Sequence, residues 1–215
     1  MNKAFGTSSD FTFTELIDQD LGIGASPQFN KVYCETPIVS RWEDLQVATQ
    51  SMNRGPNTTP PSYVKLKDNG AFTGVYTWAF NELKEEELFF QVQMPHSWKE
   101  GSDIYPHVHF TTPTQTATDI AWGLEYIWTN FYDVMAANTS LIGAKVNTPI
   151  AYTHSKLNLP TISGTGKKLS SILCCRLFRD ASEETNGYFG QVFLLGFDFH
   201  ILIDSIGSVS AVSKF

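Results

Sequence analysis

The feature that most restricts this chain is a run of alternating large apolar residues near its C-terminus. Phe193, Leu195, Phe197, Phe199, Ile201 and Ile203 fall on one face of an extended segment, with Gly196, Asp198, His200 and Asp204 on the other. A period of 2 over such a length is a strand signal. A slip of one residue would expose six large side chains, each worth about 1.5–3 kcal/mol of burial. The segment therefore predicts a strand with one face on a core and a fixed register.

The same alternation recurs upstream. Phe90-Gln91-Val92-Gln93-Met94 alternates apolar residues with glutamines, and Pro95 ends it because proline cannot donate to a ladder. In the next strand, from Ile104 to Phe110, Tyr105, His107 and His109 share one face, and Pro106, Val108 and Phe110 the other. Ile120, Trp122, Leu124, Tyr126 and Trp128 share one face of the strand Asp119 to Trp128. Tyr63 to Lys67 runs into Asp68-Asn69-Gly70, a type I′ hairpin signal, with a return strand over Phe72 to Phe80. Leu141 to Val146, Ile150 to His154 and Leu169 to Phe178 read as further strands. Asp180 to Gly187 reads as a long hairpin connection.

Ser40-Arg41-Trp42-Glu43 fits a capping box and predicts a short helix carrying Trp42, Leu45 and Met52 on one face. Apart from that, about ten short strands and recurring turns indicate an all-β chain, an antiparallel β-sandwich or jelly roll. An aromatic content of 13% agrees with this. Residues 1–39 show no sustained period and read as an N-terminal arm or lead-in, lying on its own body or on a neighbouring subunit, or forming an edge strand. Residues 40–215 read as a single β-sandwich domain.

A net charge of −7 argues against a nucleic-acid partner, which requires a basic face. There is no N-terminal apolar segment of the signal type and no run of 18 apolar residues, so the chain reads as soluble, with no membrane partner and synthesis in the cytoplasm. Cys34, Cys174 and Cys175 are odd in number and lack metal-type spacing. They read as buried small hydrophobes, the adjacent pair pointing to opposite faces. The sequons at Asn57 and Asn138 read as chance matches in loops.

Candidate chemistry centres on Gly101 to His109. Glycine, five residues, then His-x-His resembles the first half of the cupin metal motif, in which two histidines bind a divalent ion inside a barrel. Pro113 and Thr114 stand where the motif needs a glutamate, and its second half is missing. Glu125, or Asp198 with His200 from an adjacent strand, are the possible completions. The reading taken from the residues is that His107 and His109 make hydrogen bonds at a strand face or subunit interface, with no catalytic, cofactor or metal residue assigned. Ser163 to Lys168 lacks both the first glycine and the Ser/Thr of a phosphate loop. Glu183 and Glu184, and Glu85 to Glu87, read as carboxylates in solvated charged turns. Trp98, Trp122 and Trp128 are a possible stacking platform for a carbohydrate.

The words Gln93-Met94-Pro95-His96, Trp98-Lys99-Glu100-Gly101 and Pro106-His107-Val108-His109-Phe110 add a different kind of information. With Trp122-Gly123-Leu124-Glu125-Tyr126, Trp42 to Leu45, Phe197 to His200 and Asp204 to Ser208, they resemble a group of proteins encoded among the virion genes of tailed bacteriophages. Phe110 stands where tryptophan is usual. The resemblance implies a non-enzymatic virion structural protein, an accessory head or tail component. Its implied partners are itself, as a homo-oligomer with a trimer favoured, and other virion proteins. The alternatives left open are a cupin-like metal-binding protein or enzyme using His107 and His109, and a carbohydrate-binding β-sandwich module.

Overall fold

The computed structural model describes residues 40–55, 60–68, 70, 73–81, 85–184, 187–208 and 210, all within the unit Ile38–Phe215. The expected arm, residues 1–39, lies outside the described residues, as do Cys34, Asn57, Asn69 and Phe72.

Among the described residues, ten strands divide between two antiparallel sheets. They are β1 (Arg41–Val47), β2 (Ser62–Lys67), β3 (Val75–Phe80), β4 (Glu87–Gln93), β5 (Ile104–Thr111), β6 (Asp119–Thr129), β7 (Ser140–Asn147), β8 (Ser155–Asn158), β9 (Ile172–Arg179) and β10 (Val192–Ile203). The first sheet has the order β2-β3-β10-β5-β8, with β1 also on β10, and the second β4-β9-β6-β7. From β3 onward the pairs are nested. The strand β6 pairs with β7, β5 with β8, β4 with β9 and β3 with β10. A long hairpin rolled so that its nested pairs alternate between two sheets is a jelly roll. The expected all-β class is what the chain adopts.

The alternating faces meet between the sheets. Val108 and Phe110 of β5, Trp122 and Leu124 of β6, and Leu173 and Leu177 of β9 are fully buried. Phe80 meets Trp122 edge-on with ring centroids 4.8 Å apart, and Phe90 meets Phe197 at 5.1 Å, each pair bridging the two sheets.

The register of β10 differs from the expected one in its first half. Against β5, Leu194 faces Phe110 but Gly196 faces His109, so Leu195 is the extra residue of a β-bulge. Val192 and Leu194 therefore join the core together with Phe197, Phe199 and Ile201. Phe193 and Leu195 leave the face that simple alternation assigned them. Without the bulge, Asp198 would sit opposite Pro106, on the core face. With it, Asp198 sits opposite His107.

Four further expectations are corrected. The capping-box segment is the strand β1, paired over Arg41–Val47 with Ile203–Phe197 of β10, and a short 3-10 turn follows at Thr49–Ser51. A ladder of that length outweighs the roughly 1 kcal/mol of one helix cap. The β2–β3 hairpin forms, but its return strand starts at Val75. Its connection closes at Gly74, where a φ of +98°, and the 2.7 Å at which a Cβ would stand from the Lys67 carbonyl oxygen, exclude a side chain. Ile150 to His154 is not a strand; β8 begins at Ser155. Asp180 to Gly187 crosses from β9 in the second sheet to β10 in the first, so it is no hairpin.

This connection is anchored by charge. The guanidinium of Arg179 is fully buried and donates to both carboxylate oxygens of Glu184, at 2.8 and 2.9 Å, and to the carbonyls of Tyr188 and Gly190. Glu184 is thus no solvated turn residue. Removing one partner leaves the other charged and buried, so Glu184→Ala should cost about 3–5 kcal/mol in urea unfolding. Leu194→Ala should cost about 2–5 kcal/mol. Leu195→Ala should stay within about 1 kcal/mol, and equal losses at the two positions would contradict the bulge.

Candidate functional site

The outward face of the first sheet collects every polar residue that the sequence singled out on β5 and β10. Antiparallel pairing sets His107 opposite Asp198, His109 opposite Gly196 and Tyr105 opposite His200. On the other side of β10, β1 sets Asp44 opposite His200 and Gln46 opposite Asp198. Strand β8 flanks β5, and just before it comes His154.

The contacts are close. His109 Nε2 lies 3.0 Å from Asp198 Oδ2, and its Nδ1 lies 2.9 Å from His154 Nε2. A carboxylate only accepts, so His109 Nε2 donates to Asp198. With the ring neutral, Nδ1 then accepts from His154 Nε2–H. His200 Nε2 lies 2.6 Å from Asp44 Oδ1. The rings of His107 and His200 meet edge-on with centroids 4.0 Å apart, and Trp42 packs edge-on against Tyr105 at 5.2 Å.

Burial grades across the cluster. The His107 and Asp198 side chains are 6% and 7% exposed, against 22% for His109 and 48% for Asp44. His107 Nδ1 lies 3.2 Å from Asp198 Oδ1 but is not aligned to donate to it, and neither atom has a hydrogen-bond partner among the described residues. Burial, with His200 and Lys156 nearby, holds the His107 imidazole below its ordinary value near 6.5, despite the opposing pull of Asp198. Alongside the cluster runs a groove of about 780 Å³, lined in part by Asp44, Gln46, His109, His154, Leu195 and Asp198.

His107, His109, Asp198 and His200 are therefore brought together, whereas Glu125 is not. It stands on β6 in the second sheet, accepting from Arg176 Nη1 at 3.0 Å and from the Thr139 hydroxyl. These bonds, that of Thr139 first, hold its carboxyl below the usual range. Glu85 and Glu87 also pair with Arg176, and Glu87 is buried, so this acidic run is an ion-pair network. The cupin placement is corrected. The histidines face outward, and the interior between the sheets holds Val108 and Phe110. The tryptophan platform is corrected as well, because Trp98 and Trp122 are 0% exposed and Trp128 6%. Asp44 and His154 were missed. The first sat in a segment read as helical, the second in one read as a strand of its own.

No family model matches the sequence, and no curated relative does. Among solved structures, the chain is similar to the module TmCBM61, solved in complex with β-1,4-galactotriose. Identity is 14% and the TM-score 0.30, over 78% of this chain and 89% of that one. It is also similar to the family 30 carbohydrate-binding module of a cellulosomal cellulase of Clostridium thermocellum. Here identity is 12% and the TM-score 0.31, over 81% and 95% of the two chains. At such TM-scores neither fold nor ligand transfers to this chain.

A histidine held below its ordinary pKa makes folding sensitive to acid. Above about 6.5 the imidazole is neutral in both states. As pH falls below that value the unfolded chain takes up a proton that the folded chain refuses, so stability is lost. In chelator-treated protein the melting temperature should decline as pH drops through about 6.5. The decline should be shallower in His107→Gln, and superimposable profiles would contradict it.

Proposed function

We propose that the chain is a non-enzymatic jelly-roll module that works by binding, as an accessory head or tail component of a tailed-bacteriophage virion. It is held there as a homo-oligomer, a trimer, beside other virion proteins. The resemblance of these sequence words to phage virion proteins motivates the setting. The observation that carries assembly is the β6–β7 connection. There Phe131, Tyr132, Val134 and Met135 are 52%, 91%, 93% and 51% exposed. Four large apolar side chains in five positions at one loop tip form a contact surface of the kind that assemblies cover. The packed interior also favours binding over catalysis, since the space between the sheets is taken up by core side chains.

A second reading, a carbohydrate-binding surface, is favoured by a different observation. Tyr63 and Tyr76, 46% and 40% exposed, stack with centroids 6.1 Å apart, and Tyr63 meets Trp78 at 5.0 Å. Exposed rings of this kind can stack on the apolar face of a sugar.

Multi-angle light scattering at micromolar concentration should give a trimer. Replacing Phe131, Tyr132 and Val134 together by serine should give a folded monomer, and a monomeric wild type would overturn the assembly reading. Mass spectrometry of purified virions should recover the chain at a fixed copy number. On a glycan array, binding that disappears in Tyr63→Ala and Tyr76→Ala would support the second reading, and an array without signal would remove it.

A further inference from the structure

We propose that His107 Nδ1, His109 Nε2 and the carboxylate of Asp198 form a binding site for one divalent first-row transition cation of the zinc type. One ligand atom from each of the three residues lies within 4.8 Å of the other two. His109 Nε2 and His107 Nδ1 stand 3.0 and 3.2 Å from the two Asp198 oxygens. With metal–donor bonds of about 2.0–2.1 Å, neighbouring donors around one ion stand about 3.0 Å apart in octahedral and about 3.4 Å apart in tetrahedral geometry. The observed spacings are those of a coordination edge.

An independent observation singles out the same atoms. His107 Nδ1 and Asp198 Oδ1 are buried, face each other, and have no hydrogen-bond partner among the described residues. Desolvating an imidazole nitrogen and a carboxylate oxygen without partners is costly. A cation bound to both removes that cost. The neutral imidazole is the form that ligates.

The surroundings fit as well. A ligating histidine usually donates its other ring N–H to a neighbour that fixes its orientation. With His109 bound through Nε2, its proton moves to Nδ1 and His154 carries its own on Nδ1, so that His109 Nδ1–H donates to His154 Nε2 across the same 2.9 Å. The β-bulge brings Asp198 opposite His107, and the residue opposite His109 is Gly196, which adds no side chain there. Asp44, His200 and Asp198 form a second group of possible ligand atoms, which places another carboxylate beside the ion. Imidazole donors favour zinc, cobalt, nickel or iron over calcium and magnesium.

The test uses untagged full-length protein stripped with chelator and titrated with zinc chloride or cobalt chloride by calorimetry. The cobalt complex is also followed by visible absorption. One equivalent per chain and ligand-field bands are expected, with no heat from calcium or magnesium. His109→Ala should weaken binding by roughly 100-fold or more, and His154→Ala by about 10–100-fold. His96→Ala, outside the cluster, should leave affinity unchanged. Near-UV circular dichroism verifies that each variant is folded, and His109→Gln serves if the alanine variant is not. Absence of saturable binding by folded wild type, or equal affinity in a folded His109 variant, would overturn the proposal.

Discussion

The structure depends on the register of one strand. β10 lies between β5 on one side and both β3 and β1 on the other, so it fixes the stagger of the whole first sheet. Its single bulge at Leu195 carries two consequences at once. It lets Val192 and Leu194 reach the core before the bulge and Phe197, Phe199 and Ile201 after it. It also turns Asp198 outward, onto the face of His107 and His109. Apolar burial holds the register, with each large side chain worth about 1.5–3 kcal/mol, so the polar cluster on the opposite face is positioned by the core beneath it.

Strands with unbroken alternation were legible, and for one reason. In β4, β5 and β6 a half-buried sheet imposes a period of 2, and Phe90, Val108, Phe110, Trp122 and Leu124 report it directly. What alternation does not encode is the partner. Asp180 to Gly187 has the composition of a turn, yet the chain there passes between sheets, because nested pairing joins residues far apart in sequence. A bulge is invisible for a similar reason. It is decided by how Leu194 and Gly196 meet β5, and Phe193-Leu194-Leu195 is apolar at every position, so either parity looks acceptable.

The site was half legible. His-x-His on one strand face is a local statement and held. Its proximity to Asp198 and His200 was conditional on strand adjacency, which the fold supplies. Asp44 and His154 arrive from segments whose own patterns are weak. β1 is largely exposed and polar, so the pairing with β10 defines it and its sequence does not. The carboxylates misread as solvated show the same limit: composition marks Glu184 as a turn residue, and only the buried Arg179 reveals its role.

The nesting of strands also sets an order of events. β10 is the central strand of the first sheet and the last of the ten to leave the ribosome. Until it emerges, β3 and β5 have no strand between them and β1 has nothing to pair with. Their unpaired edges and apolar faces stand open through most of synthesis. Closure by contacts this distant in sequence is slow, which makes the nascent chain a natural client for chaperones that shield strand edges.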